Sequence, residues 1–254
     1  MNESDYVIIA APIYREGAYI IDKFLSNQKE IQTKYPLSEL ILATREQDFT
    51  IELQKLIDYW GVKGKVILYE TVKPDHACHS TWNSACGREA IRQCVLSHPK
   101  ASHLLFIDAD MTCDPKVIDI MKKEAEGYDV VASGYPGRVY GMITGGLGCM
   151  FISRNALEKI RFRCYEFGKR RVLDEGDVLE MDLFSMRLKF KRGFFLAIDH
   201  YSHDGSARHI EPHSVSLSSK MSNHLFVRFI LIKASIILRC NIPGSLQRLL
   251  SRFF

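Results

Sequence analysis

With 254 residues, 46% of them hydrophobic and 25% charged, the chain is long enough to bury a full core, which excludes a disordered or fibrous protein. A net charge of +4 is too small to argue for nucleic acid as a partner. Seven cysteines without regular spacing exclude a disulfide scaffold and point to free thiols in a reducing, cytoplasmic compartment; the polar, acidic start MNESDY has no signal-peptide pattern.

Residues 6–11 (YVIIAA) are a continuous apolar run stopped by Pro12, the pattern of a strand buried on both faces. Tyr14, Arg15 and Glu16 occupy the loop that follows, ahead of an amphipathic helix over about 18–34. A strand over 39–43 has the polar exit loop 44–48; a helix over 49–60 and a strand over 65–69 come next. This alternation predicts an α/β protein with a doubly wound, mostly parallel sheet. The stretch 70–80 is polar and irregular. It contains His76, Cys78 and His79, but no second ligand pair stands at a spacing that suits zinc. A helix over 81–96 leads into the centre of the chain.

That centre is 103–110, HLLFIDAD. Leu104 to Ile107 read as a core strand, and Asp108 and Asp110 stand at its carboxyl end, where open α/β sheets bind ligands. Two acids so close repel each other, and a hard cation resolves the repulsion. Asp114 with Pro115 reads as a helix cap opening a helix over 115–126, followed by a strand over 128–133. The glycine-rich stretch 141–148 runs into a strand over 149–152 rather than a helix, so it is no phosphate-gripping loop. It reads either as a floor or lid beside a substrate or as a loop needing positive φ. A helix over 154–160, a basic turn at Lys169, Arg170 and Arg171, a helix over 177–189, a strand over 194–198 and a histidine-studded loop over 200–213 complete the domain.

No acid follows Glu211, whereas Lys220, Arg228, Lys233, Arg239, Arg248 and Arg252 do. The apolar run 225–238 falls short of the roughly 20 residues a spanning helix needs. With 246–254 it reads as a basic amphipathic pair that lies on an anionic membrane face, or else as a helix packed on its own domain. The expected division is therefore a domain over 1–213 and a helical tail over 214–254.

The motifs AAPIYRE, FIDAD, DVVASGYPGR, GGLGCMFISRNALEKI and EMDLFSMRLKFKRGFFLAID, with His203-Asp-Gly205 behind the last, resemble in order the GT-A glycosyltransferases of the family-2 type. The resemblance covers about residues 5–205. It implies a Rossmann-like GT-A sheet flanked by helices, Mn²⁺ or Mg²⁺ as cofactor, and transfer with inversion from a nucleoside-diphosphate sugar to a hydroxyl on a glycan or lipid-linked acceptor. By that resemblance Asp108, Asp110 and His203 hold the metal, and Pro12, Tyr14, Glu16, Thr44, Arg88 and Asp108 line the nucleotide site. Glu180 aligns with the general base and Asp182 with the acid two residues on, while a capping box closed from Asp177 is the structural alternative for Glu180.

The chain departs from the family where strand two ends in Ala43 and Thr44 instead of aspartates, where Leu179-Glu180 replaces the usual Glu-Asp pair, and where Glu89 follows Arg88 instead of asparagine. Two other readings stand beside the transferase: a GT-A-like binding module without turnover, and a sugar nucleotidyltransferase. The latter usually carries a glycine-rich signature near its start, which residues 10–17 lack.

Overall fold

The computed structural model describes residues 5–74, 81–136, 143–144, 147–166 and 172–212. The readings placed on 76–79, on the basic turn 169–171, on the tail 214–254 and on half of the glycine-rich stretch lie outside the described residues. The elements are, in chain order, β1 (Tyr6–Pro12), α1 (Ile21–Lys34), β2 (Ser38–Thr44), α2 (Gln47–Tyr59), β3 (Gly64–Leu68), α3 (Thr81–Ser97), β4 (Ala101–Ile107), β5 (Met111–Cys113), α4 (Val117–Glu124) and β6 (Val130–Ser133). Then come β7 (Tyr135–Pro136), β8 (Ile143–Thr144), β9 (Cys149–Ser153), α5 (Arg154–Lys159), β10 (Tyr165–Glu166), β11 (Val172–Leu173), α6 (Glu175–Ser185), β12 (Phe190–Gly193), β13 (Ile198–Tyr201) and β14 (Ala207–Ile210).

Seven strands form one sheet in the order β12-β6-β9-β4-β1-β2-β3. All neighbours are parallel except β9, which runs antiparallel between β4 and β6. The apolar runs read as doubly buried strands are so. Val7, Ile9 and Ala11 of β1 and Leu105 and Ile107 of β4 join the core under α1, α2 and α4. Tyr6, Ile8, Ala10, Leu104 and Phe106 join the core under α3, α5 and α6. The mostly parallel α/β sheet with a helical layer on each face is thus the observed architecture. A second, three-stranded sheet, β14-β13-β5, sets His200 opposite Met111 just beyond Asp110.

Four local expectations are corrected. The single strand over 194–198 is replaced by two strands on either side: β12 joins the main sheet beside β6, β13 joins the small sheet, and Phe194 and Leu196 between them are buried in the core. The loop over 200–213 accordingly contains the end of β13 and all of β14. The helix expected from Pro115 begins at Val117, because Asp114 accepts from Lys116 N at 2.8 Å and shapes the turn before the helix. The helix expected from Asp177 begins at Glu175, with Asp174 as its cap accepting from Asp177 N at 2.9 Å. A capping box built on Asp177 is therefore not formed.

Helix α1 docks through amides as well as apolar side chains. Asn27 Nδ2 donates to Cys113 O at 2.8 Å and its Oδ1 accepts from Cys113 N at 3.1 Å. Gln32 does the same at Lys63, at 2.7 and 2.8 Å. Each side-chain amide takes the place of a neighbouring strand's peptide. Between them Gln28 is 0% exposed, and neither end of its amide has a hydrogen-bond partner. A buried unpaired polar group costs about 1–3 kcal/mol. Gln28→Met is therefore expected to stabilise the fold by about that amount in urea unfolding. Destabilisation would mean that the amide is satisfied by a trapped water and has to be kept.

Candidate active site

The carboxyl ends of β1 and β4 and the amino ends of α3 and α6 converge on a cavity of about 370 Å³. Among its walls are Pro12 and Tyr14, Thr81 and Ser84, Arg88, Asp108 and Asp110, Tyr135, and Asp174 with Glu175. Of the residues singled out in the sequence, it brings together Pro12, Tyr14, Arg88, Asp108 and Asp110. Glu16 is exposed outside the cavity wall. Thr44 is buried at the end of β2, where its hydroxyl accepts from Glu46 N, and it does not reach the cavity either.

Asp108 is gripped from several sides. Its backbone N–H donates to Gly148 O at 2.9 Å, and its Oδ1 accepts from Arg88 Nη2 at 2.7 Å. A Cβ on residue 148 would stand 2.7 Å from both Asp108 Oδ2 and the Tyr135 hydroxyl, so only glycine fits there. Burial raises the Tyr135 phenol above its usual range, keeping it protonated beside the carboxylates. Asp110 is 7% exposed, with Oδ2 at 3.2 Å from His200 Nε2 and 3.4 Å from the Tyr19 hydroxyl.

His200, absent from the candidate list drawn from sequence, is brought to Asp110 by the pairing of β13 with β5. Its Nδ1 lies 2.6 Å from Pro136 O, a carbonyl that can only accept, so Nδ1 carries a hydrogen. Nε2 then faces the Asp110 carboxylate at 3.2 Å, where a protonated ring donates to Oδ2 and a neutral ring turns a lone pair toward it. His203, the histidine singled out by resemblance, is exposed and lies against the ring of Tyr19, centroids 4.3 Å apart.

Among the described residues, no three carboxylate, imidazole or thiol groups stand close enough to enclose a metal by themselves. Asp108 and Asp110 nevertheless offer the one or two carboxylates by which a protein holds a divalent cation whose remaining positions are filled by phosphate and water, and His200 stands against Asp110. Hard carboxylate oxygens of this kind suit Mn²⁺ as well as Mg²⁺.

The acids of α6 divide differently from the sequence reading. Glu180 is 3% exposed and paired with Arg192, itself buried on β12. Asp182 is held by both terminal nitrogens of Arg163, at 2.6 and 2.9 Å. Neither lines the cavity. The carboxylate that does so from within the helix is Glu175, 8% exposed, with burial raising its pKa and the Arg88 charge opposing that rise. Glu89, which stands where the resembled family has asparagine, binds Arg92 at 2.9 and 2.8 Å and accepts from Phe162 N, a structural role. Among the described residues no thiol lines the cavity: Cys86, Cys94, Cys113, Cys149 and Cys164 are free, and burial pushes Cys149 up to about 12.

No protein-family model matches the sequence, and no curated protein matches it. Solved structures match the fold over nearly the whole chain. Glucosyl-3-phosphoglycerate synthase from Mycobacterium tuberculosis, in complex with phosphoglyceric acid, aligns at a TM-score of 0.50 and 17% identity, over 95% of this chain and 82% of that one. The chain has a GT-A-type fold. The same synthase is also solved with Mn²⁺, UDP and glucosyl-3-phosphoglycerate, again at a TM-score of 0.50 and 17% identity with the same coverage. The 4-diphosphocytidyl-2C-methyl-D-erythritol synthase from Anaerococcus prevotii aligns at a TM-score of 0.52 and 9% identity, over 91% of this chain and 99% of that one. At these identities the likeness concerns the GT-A-type fold alone. No described helix is long and apolar enough to cross a membrane.

Proposed function

We propose that the chain is a metal-dependent glycosyltransferase that moves a sugar from a nucleoside-diphosphate donor to a hydroxyl acceptor with inversion. The observation that carries this reading is one cavity lined by Asp108 and Asp110 together with the buried acid Glu175. Asp108 and Asp110 would hold Mn²⁺ or Mg²⁺, with His200 positioning Asp110, and the ion when bound would neutralise charge on the departing diphosphate. Pro12 and Tyr14 would border the nucleotide. Glu175 would take the proton of the acceptor hydroxyl as its oxygen bonds to the anomeric carbon and the bond from that carbon to the diphosphate oxygen breaks. The synthase structure that carries Mn²⁺ and UDP supports the metal and the donor class.

Calorimetry of the chain with UDP or GDP, with and without Mn²⁺, tests the assignment. Asp110→Asn is expected to abolish metal-dependent nucleotide binding and transfer while the fold stays intact, since an amide is a poorer ligand for a hard cation. Unchanged metal-dependent affinity in that variant would remove the cation site from Asp110.

The nucleotidyltransferase reading draws on the likeness to the Anaerococcus prevotii synthase. The leaving product separates the two: a nucleoside diphosphate for sugar transfer, pyrophosphate for nucleotidyl transfer. A binding module would bind and release neither. We further propose that the tail, residues 214–254, attaches the enzyme reversibly to an anionic membrane face and brings it to a lipid-linked or glycan acceptor. Each basic residue near such a surface adds about 1 kcal/mol. Anionic liposomes should sediment the full chain at low salt but not one ending at Ser222. Equal sedimentation of both would return the tail to a helix packed on its domain.

A further inference from the structure

Arg88 is 5% exposed, and its guanidinium meets acids from two different elements. Nη2 donates to Asp108 Oδ1 at 2.7 Å, whereas Nη1 stands 3.9 Å from Glu175 Oε1, too far for a hydrogen bond. Nε is buried without a partner, and the group lies over the ring of Phe106 with its carbon 5.2 Å from the centroid. An arginine that serves as a plain phosphate ligand presents an open fork to its anion. This one has an arm committed to Asp108 and another short of Glu175.

We propose that Arg88 is a positioning residue shared by Asp108 and Glu175, which turns from the first toward the second when a cation takes over Asp108. The inference rests on the transferase reading above and goes beyond it by tying the donor end of the cavity to the acceptor end. A divalent cation on Asp108 competes with the guanidinium for the same carboxylate. The released arm then closes the gap to Glu175 and holds that carboxylate in place for the acceptor. Such coupling is reciprocal, so altering Glu175 has to change cation-dependent affinity at Asp108.

The test is calorimetry of UDP and GDP with Mn²⁺ on the full chain, comparing the unaltered protein, Glu175→Gln, Arg88→Lys and the double variant. Without the Glu175 charge, Arg88 rests wholly on Asp108 and opposes the cation, so Glu175→Gln is expected to weaken Mn²⁺-dependent affinity by about fivefold or more. Lysine keeps the charge but lacks the planar fork that reaches both acids, so in the Arg88→Lys background the same change should shift affinity by less than about twofold. Melting curves confirm that each variant is folded, and Arg88→Gln serves as the second background if lysine does not fold. Unchanged affinity in Glu175→Gln, or an equal shift in both backgrounds, overturns the shared role while leaving nucleotide binding intact. Absence of Mn²⁺-dependent binding in the unaltered chain is a different result, which overturns the transferase reading and this proposal with it.

Discussion

Replacing Glu180 by leucine is expected to destabilise the fold by about 3–5 kcal/mol, because it removes the charged partner 12 residues away that Arg192 holds in the interior. Both partners are almost wholly buried, at 4% and 3% side-chain exposure, and they tie the middle of α6 to the edge strand β12. Arg192→Leu should cost a similar amount. The double replacement should recover most of the loss, since a buried ion pair replaced as a unit by packed apolar groups is often nearly neutral. Urea unfolding of the two single variants and the double variant reads this directly. The competing view, in which Glu180 is the general base, makes an opposite forecast. There Glu180→Gln costs orders of magnitude in kcat and leaves stability nearly untouched. That outcome would move the base about one and a half turns along the helix from Glu175.

Glu175→Gln is expected to lower kcat by about 10² to 10⁴, the usual range for loss of a general base. The amide keeps the shape of the side chain, so the variant should remain folded. The pH profile carries a second signature. Burial is the largest influence on this carboxyl and raises its pKa, with Arg88 pulling the other way. A base works when ionised, so kcat/KM should fall as pH drops through a value above the ordinary glutamate range. The Gln variant should lose that acidic limb. A limb that persists unchanged in Glu175→Gln would assign the titrating group elsewhere, with Asp174 next in line because it also lines the cavity.

The sheet was legible because its strands announce themselves: YVIIAA and LLFI are unbroken apolar runs, and only a strand buried on both faces needs them. The paired aspartates were legible for the same reason, since their place at the end of such a run sets them on the binding edge. The base was not. An adjacent acid pair does stand in the chain as Asp174-Glu175, but the periodicity of α6 continues through Glu180 and Asp182, and nothing local distinguishes a carboxylate facing a cavity from one facing an arginine. Arg163 and Arg192 decide that distinction, and they lie 19 and 12 residues away from their partners. His200 was hidden similarly. Three histidines share the stretch from His200 to His209, and only the pairing of β13 with β5 selects the one that meets Asp110.

The two-point grip of Asn27 on Cys113 has a consequence for motion. Strand β5 belongs to the small sheet, where its other neighbour is β13, the strand that carries His200. A partial opening that lifts α1 off the body removes both bonds at Cys113 together. It thereby loosens the support beneath His200 without separating any pair of strands in the seven-stranded sheet. Proteins open in such cooperative pieces, and the pieces that carry ligand-binding groups tend to be the less stable ones. Here the seven-stranded sheet bears Asp108 at the end of β4, while the imidazole opposite Asp110 rides on a smaller sheet that one helix helps to hold.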